Sequence, residues 1–295
     1  MVEAPAISVI IPTWRALDCL KVSLPEFLRT PDCEVIVGLD GIRGDFLEYL
    51  RPLPVKLSAT QRRQGVCTAT NLAARLAAGR HLFLCNDDMV PAPGWERALL
   101  QLAADDRIVS GTCWEPGLIA VPPPFLKRDF GSGPENFRRQ DFFDAVQRDN
   151  QSGELSAGPG INYPFLIPRE MWQRAGGLDE RFNPGPASDP DLFIRLALLD
   201  PAPQMIRTRR AILYHFSSRS SSFSDGRISY AWKFHRRHSM YIFRRKWDRP
   251  WEHQFGQVPD ISAWKTIVPQ KEPPVSGKFW RWLCFGPAGR HIIET

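Results

Sequence analysis

Residues 6–41 read AISVIIPTWRALDCLKVSLPEFLRTPDCEVIVGLDG, and this stretch decides the fold. Two runs rich in β-branched residues, 6–11 and 33–39, flank a segment with helical spacing at residues 16–28. A strand, a helix and a second strand in this order form a βαβ unit, which places the two strands parallel in one sheet. The opening of the chain therefore predicts an α/β fold.

The same alternation continues to about residue 112. We predict helices at residues 45–50, 66–78 (with Gly79 as the C-cap) and 95–104, and strands at residues 55–59, 81–85 and 107–112. The predicted fold class is a Rossmann-like, mainly parallel sheet flanked by helices.

Past residue 115 the pattern changes, because Pro122, Pro123 and Pro124 forbid regular strand pairing. Further elements follow, and the last of them contains many Lys, Arg and aromatic residues. They are predicted strands at residues 162–167, 205–208 and 211–215, and helices at 135–150, 169–175, 190–199 and within 227–252.

Composition limits the classes of partner. The 38 Lys and Arg against 32 Asp and Glu give a net charge of +6, which suits a nucleotide, a nucleic acid or an acidic membrane. Six cysteines form no C-x-x-C pair, so we expect a reduced, cytoplasmic protein. No signal peptide and no apolar stretch of bilayer length is visible.

Ligands of parallel sheets bind beyond the carboxyl ends of the strands. The residues at these ends are Thr13 and Trp14, then Asp40 with Gly41, then Asp87 with Asp88. Asp40 with Gly41 is also typical of a turn, and an Asp pair is also typical of a solvated loop. Where the pair is buried, a divalent cation such as Mg²⁺ or Mn²⁺ would relieve its repulsion. The chain lacks the glycine-rich phosphate loops of other nucleotide-binding folds.

Seven segments in register resemble the inverting glycosyltransferases of family 2, which have the GT-A fold. They cover about three quarters of the chain and are SVIIPTW (8–14), EVIVGLDG (34–41), RQGVCTATN (63–71), GRHLFLCNDDMVPAPGW (79–95), PREMWQRAGGLDERF (168–182), SDPDLFIRL (188–196) and LYHFSSRS (213–220). The resemblance implies a nucleotide-sugar-binding half at residues 1–115, an acceptor-binding and catalytic half at 116–222, and a helical, basic and aromatic extension at 223–295.

The resemblance also implies roles for residues on the donor side. Thr13, Trp14 and Asp40 would contact the nucleoside, and Arg63 or its neighbour Arg62 would reach the diphosphate. The remaining donor-side roles fall at the acid pair and at one histidine. Asp88 would ligate the cation, Asp87 would face the ribose or the water shell of the ion, and His215 is either a further metal ligand or a half-buried histidine of its strand.

The family's general base aligns with Asp189, while Ser188 replaces the usual glutamate before it. Local sequence also predicts that Asp189 is a helix N-cap, with Pro190 at the first helical position. The two roles are compatible, because an N-cap side chain has a fixed direction. Serine at position 188 leaves open which acceptor is contacted.

The implied function is inverting, metal-dependent transfer of a sugar from a nucleotide-diphosphate sugar to a glycan or lipid-linked acceptor, in polysaccharide biosynthesis. The basic stretch 227–252 is either a helix packed on the domain or a segment that contacts an anionic membrane. Alternatives are a non-catalytic nucleotide-binding member of the family, a sugar nucleotidyltransferase and a basic nucleic-acid-binding protein. No nucleic-acid-binding motif supports the last, and we expect no nucleic-acid partner.

Overall fold

The computed structural model describes residues 4–117, 121, 124–151, 157–217, 223–224, 227–228, 230–250, 256–261 and 292–294. Pro122, Pro123, Ser220, Cys284 and most of the predicted 223–295 extension lie outside the described residues. Five of the six cysteines lie within them, and all five are free thiols.

Helices and strands alternate through the first half of the chain, as the sequence predicts. The described helices are α1 (Leu17–Leu28), α2 (Gly44–Leu50), α3 (Val66–Arg75), α4 (Trp95–Leu100), α5 (Arg139–Gln151), α6 (Arg169–Ala175), α7 (Ser188–Ala197) and α8 (Tyr230–Trp247). The described strands are β1 (Ile7–Thr13), β2 (Cys33–Leu39), β3 (Lys56–Thr60), β4 (His81–Leu84), β5 (Met89–Pro91), β6 (Arg107–Glu115), β7 (Leu126–Lys127), β8 (Ala157–Pro159), β9 (Phe165–Pro168), β10 (Gln204–His215), β11 (Phe223–Ser224), β12 (Arg227–Ile228) and β13 (Ile292–Glu294).

One sheet runs through the described part of the molecule in the order β13-β3-β2-β1-β4-β9-β6-β10-β5. β3, β2, β1 and β4 are mutually parallel, which confirms the prediction from the βαβ pattern. β9 lies antiparallel between β4 and β6, and β10 runs parallel to β6. The carboxyl ends of β1, β4, β6 and β10 therefore share one edge of the sheet.

Apolar side chains on both faces of β1 explain its place at the centre of the sheet. Ile10 packs into a core with α3, α6, α7 and α8, whereas Val9 and Ile11 pack into a second core with α1, α2 and α4. Alternate residues of a strand point to opposite faces. A strand that is apolar on both faces must be covered by helices on both sides, which is why the run reads as continuously hydrophobic.

Three boundary predictions are wrong in informative ways. Helix α3 ends at Arg75 with Leu76 as its C-cap, so Gly79 is not the cap. Gly79 instead lies against β1, where its N–H donates to Ser8 Oγ at 2.9 Å and a Cβ would stand 2.7 Å from that oxygen. The two strands predicted at 205–208 and 211–215 are one strand, β10, whose register with β6 shifts between Arg207 and Ile212.

The third correction concerns α7, which begins at Ser188 with Ala187 as its N-cap. Ala187 has φ 66°, and the Ser188 N–H and hydroxyl both donate to the Gly185 carbonyl. This turn starts the helix earlier than the sequence predicts. Asp189 therefore lies within the first turn of α7 and is not the N-cap. An acidic residue there still interacts favourably with the helix dipole.

Candidate functional site

The acid pair lies directly after β4, at the shared carboxyl edge of the sheet. Asp87 and Asp88 are 3% and 2% exposed, so they are not the solvated loop acids that the sequence left possible. The Thr13 hydroxyl, at the end of β1, donates to Asp87 Oδ2 at 2.7 Å. Burial and the neighbouring charge of Asp88 raise the pKa of Asp87 well above its usual range. Two adjacent buried carboxylates create a strong demand for positive charge.

His215 meets that demand from the end of β10. Its Nε2 lies 3.3 Å from Asp88 Oδ1, and its Nδ1 lies 2.7 Å from Glu115 Oε1. Burial alone would lower the pKa of His215, but the carboxylates of Asp88 and Glu115 outweigh it and raise that pKa to about 10. The His215 ring therefore bridges two buried acids, Asp88 after β4 and Glu115 at the end of β6, and an ion bound at Nε2 would displace the proton there.

This arrangement fits a divalent cation bound together with a phosphate-bearing substrate. Mg²⁺ and Mn²⁺ sites of that kind use one or two protein ligands, and substrate phosphates and water complete the coordination. Asp88 and His215 Nε2 face each other as oxygen and nitrogen donors, while Glu115 on Nδ1 fixes the ring as carboxylates do behind metal-bound histidines. Among the described residues no group of three His, Cys, Asp or Glu side chains is arranged to hold an ion by itself.

Asp40 follows β2 and organises the loop that leads into α3. Asp40 Oδ1 accepts the N–H groups of Gln64 at 2.5 Å and Gly65 at 2.9 Å. Burial raises the pKa of Asp40, and these two hydrogen bonds oppose that change. Asp40 is thus more than a turn residue, because its carboxylate fixes the approach to α3.

Arg63 stands in that loop and stacks on Trp14. The guanidinium carbon of Arg63 lies 3.5 Å from the centre of a Trp14 ring. The guanidinium carbon of Arg15 also lies close to Trp14, 3.9 Å from a ring centre. Arg63 Nε is also 3.8 Å from Asp40 Oδ2, whereas Arg62 is exposed. The structure therefore brings Trp14, Asp40 and Arg63 together at one corner of the sheet edge, and of the two arginines it is Arg63 that joins them.

Asn183 connects this corner to the segment that precedes α7. Its Oδ1 accepts the Cys67 N–H at 3.0 Å, and its Nδ2 donates to Thr68 Oγ1 at 2.8 Å. Gly65 has φ 103°, and a Cβ there would lie 2.3 Å from Asn183 Oδ1. Only glycine allows the two loops to approach so closely. The start of α3 and the start of α7 are consequently held as one unit.

Asp189 occupies the first turn of α7 and is partly buried. Burial raises the pKa of Asp189 to about 6, and a hydrogen bond with the Ser188 side chain partly offsets this shift. No basic side chain forms an ion pair with Asp189 within the described residues. A carboxylate with such a pKa can take a proton near neutral pH.

Sequence reasoning missed Tyr163 and Glu115. Burial raises the pKa of Tyr163 above its usual value, with smaller contributions from the charges of Cys85, Asp189 and the Asp87–Asp88 pair. The Tyr163 ring packs against both hydrophobic cores. Glu115 ends strand β6, RIVSGTCWE, which is buried from its second residue onward. The register of β6 with β10 pairs Trp114 with Tyr214, so Glu115 and His215 are the next residues on the two strands. A charged residue at the end of a buried strand was the available signal.

Comparisons with known proteins agree with the architecture. The structure of GalNAc-T7 with UDP, GalNAc and Mn²⁺ is similar at a TM-score of 0.56 and 15% identity, over 84% of this chain and 49% of that one. The structure of S. aureus TarS 1–349 with UDP is similar at a TM-score of 0.50 and 16% identity, over 70% of this chain and 59% of that one. This chain thus spans less than two thirds of either protein. No curated protein sequence matches it.

These likenesses and the sheet order define the class of the molecule, which is a GT-A fold protein. Residues 8–146, a little under half of the chain, match the family model described as "Glycosyl transferase family 2".

Proposed function

We propose that this protein is an inverting glycosyltransferase that depends on a divalent cation, Mn²⁺ or Mg²⁺. It would move a sugar from a nucleotide-diphosphate sugar to a hydroxyl of a glycan or lipid-linked acceptor, in the synthesis of a bacterial surface polysaccharide. One observation carries the proposal: Asp88 lies 3.3 Å from His215, while its neighbour Asp87 is bonded to Thr13, next to the stack of Arg63 on Trp14. Both similar structures contain UDP, and that of GalNAc-T7 also contains Mn²⁺, which supports this class of donor and ion.

On the donor side, Thr13, Trp14 and Asp40 would contact the nucleoside, and Arg63 would bind the diphosphate. Trp14 and Asp40 hold the Arg63 guanidinium, so this cation is already oriented before a donor binds. Asp87, fixed by Thr13, would face the ribose or the hydration shell of the ion. An ion held by Asp88 and His215 would supply Lewis-acid stabilisation of the charge on the departing nucleotide diphosphate.

On the acceptor side, Asp189 would remove the proton of the attacking hydroxyl. Its pKa of about 6 leaves it ionised at neutral pH and basic enough to accept a proton as the new bond forms. The hydroxyl attacks opposite to the leaving group, so one carboxylate on this side is sufficient and the anomeric configuration inverts.

A thermal-shift panel of UDP, GDP and TDP, each with and without Mn²⁺, tests the donor site. At a ligand concentration 100 times Kd, binding stabilises the folded state by about 2.7 kcal/mol. We expect one nucleotide to stabilise the protein in a Mn²⁺-dependent way and Asp88→Ala to remove that dependence. Asp105→Ala, a change of an exposed carboxylate, is the matched control. Equal shifts by all three nucleotides without Mn²⁺ would contradict the proposal, and selective binding without turnover would indicate a non-catalytic member.

We also propose that helix α8 brings the protein to an anionic membrane surface that carries the acceptor. The helix contains Lys and Arg residues but no Asp or Glu, and its exposed positions include Tyr230, Lys233, Arg237 and Tyr241. None of the described helices is long and apolar enough to span a membrane. Attraction to anionic lipid contributes about 1 kcal/mol per basic residue near the surface.

Flotation with vesicles that contain or lack phosphatidylserine tests this contact. We expect binding only to the anionic vesicles, weakened by Arg237→Glu and unchanged by Arg75→Glu, a change of an exposed arginine on α3. Equal flotation with neutral vesicles, or none with either, would reject the membrane contact and leave the transferase proposal intact.

A further inference from the structure

A buried network of charges joins α7 to the C-terminal helix α8. Asp191, which has no solvent exposure, receives three donors. Arg195 Nε donates to its Oδ2 at 2.8 Å, while Lys246 Nζ at 2.5 Å and Trp247 Nε1 at 3.0 Å both reach its Oδ1. Arg195 belongs to α7 itself, so the other two donors are what α8 contributes.

Lys246 contacts a second carboxylate as well. Its Nζ lies 2.7 Å from Asp179 Oδ2, and Arg181 binds the same carboxylate through Nε at 2.9 Å. Burial works against the charged form, yet Arg181 and Lys246 hold the pKa of Asp179 well below its usual range. Lys246 is only 4% exposed, and its charge is neutralised by Asp179 and Asp191, which belong to different segments of the chain.

The start of α7 depends on this network. No side chain caps α7, whose N-cap Ala187 adopts a left-handed conformation. Asp191 lies in the same first turn as Asp189, two residues further on. Arg195 also donates to the carbonyls of Ala175 and Gly177, which ties α7 to the end of α6. The direction of the first turn is thus set by tertiary contacts and not by a local cap.

Apolar packing makes the connection rigid. Trp247, Phe243 and Ile242 are buried in the same core as Leu192 of α7. Phe243 stands 6.3 Å from Phe182, centre to centre, in the turn before α7. At its other end, burial and the positive charge of Arg63 lower the pKa of His235.

We propose that Lys246 and Trp247 of α8 are positioning residues that hold Asp191, and through it the first turn of α7, so that Asp189 points at the acceptor hydroxyl. This inference rests on the proposed function and deepens it. It assigns a role in turnover to a helix that lies outside the matched residues 8–146. Small displacements of a reacting group are costly, since about 1 Å can reduce turnover roughly 100-fold.

The test compares four variants of the full chain: Lys246→Met, Lys246→Arg, Trp247→Phe and the control Lys233→Met on the exposed face of the same helix. Hydrogen exchange of the amides of residues 187–192 measures the order of the first turn without any substrate. We expect faster exchange there in Lys246→Met, and wild-type exchange in Lys233→Met and Lys246→Arg. Thermal denaturation confirms that each variant is folded.

Kinetics with the donor and acceptor on which the wild type turns over provide the second measurement. For Lys246→Met we expect kcat to fall about 10- to 100-fold, with KM for the donor within about twofold. Lys246→Arg should restore most of kcat, and Trp247→Phe, which removes one hydrogen bond and leaves a smaller aromatic ring in the core, should lower kcat about threefold. The dissociation constant of nucleotide and Mn²⁺ should stay constant throughout.

The outcomes separate the two ideas. Unchanged exchange in Lys246→Met, or faster exchange with unchanged kcat, would overturn the positioning role. Equal losses in kcat and in nucleotide binding would show a general structural effect and overturn it too. If Lys246→Met does not fold, Trp247→Phe alone decides: its reduced kcat at constant KM supports the role, and wild-type kcat rejects it. A wild type that turns over no donor would refute the proposed function instead.

Discussion

Two acidic regions, Asp87 with Asp88 after β4 and Asp189 with Asp191 at the start of α7, have almost the same composition and opposite organisation. In the first region, burial places two adjacent carboxylates together, and one histidine lies between Asp88 and Glu115. In the second, Asp191 binds Arg195 and Lys246, whereas Asp189 forms no ion pair within the described residues. The difference shows that neighbouring acids acquire distinct tasks from their partners. The first pair suits binding of an ion, whereas the second divides into an anchor and a base.

Replacing the proposed base should have the largest effect. We expect Asp189→Asn to lower kcat about 10²- to 10⁴-fold, because the amide cannot accept the proton of the acceptor hydroxyl. Calorimetry should show unchanged binding of nucleotide and Mn²⁺. Asp45→Asn, at an exposed carboxylate paired with Arg43, serves as the control and should retain full turnover. If Asp189→Asn retains the wild-type kcat, Asp189 is not the general base.

Replacing the anchor, Asp191, should lower the unfolding free energy, whereas replacing the base, Asp189, should raise it. Asp191→Asn leaves Lys246 and Arg195 without their shared carboxylate, and loss of one partner of a buried ion pair costs about 3–5 kcal/mol of unfolding free energy. Asp189→Asn should instead increase the unfolding free energy at pH 7, by about 1–3 kcal/mol at 1.36 kcal/mol per pKa unit. Its folded pKa of about 6 exceeds the ordinary value of 3.8, so the native state loses stability as the pH rises from about 4 to 6, and this loss is complete at pH 7. Urea denaturation at pH 7 measures both changes in unfolding free energy. If both have the same sign, the two aspartates do not have the distinct roles proposed here.

The pH dependence of turnover should follow the base. Since Asp189 must be ionised to act and has a pKa of about 6, kcat should rise roughly tenfold between pH 5 and pH 7. A steady-state profile of kcat against pH, at saturating donor and Mn²⁺, measures this rise. We expect the residual activity of Asp189→Asn to lack this rise. If kcat of Asp189→Asn still rises with the same midpoint pH, another group is responsible for the titration.

Tyr163 tests whether the two regions share one cleft. Tyr163→Phe removes only the hydroxyl, and we expect kcat/KM to fall roughly two- to tenfold, the value of one neutral hydrogen bond. Packing against Phe165, at 5.7 Å between ring centres, should persist, so the melting temperature should change little. Tyr49→Phe, a change on α2, is the matched control. An unchanged kcat/KM would place the substrate away from Tyr163.

Local patterns were sufficient for the first half of the fold. Strands such as Cys33–Leu39 are continuous apolar runs, and the helices between them are amphipathic, so period and length identify both. Caps and breaks were less predictable. Gly79 lies against Ser8 of β1, which is remote in sequence. Ala187 begins α7 in a left-handed conformation, which no local sequence pattern indicates. The antiparallel β9, inserted between β4 and β6, follows from no local rule.

The sequence by itself determined the α/β class, the parallel arrangement of the first strands and the position of acids at the carboxyl ends of strands, because these depend on short-range periodicity. Tertiary structure alone brought Glu115 to the imidazole of His215, 100 residues away along the chain, and assigned Asp191 to Lys246 and Trp247. The physical reason is that charge compensation in a buried site acts between side chains adjacent in space, whatever their separation along the chain.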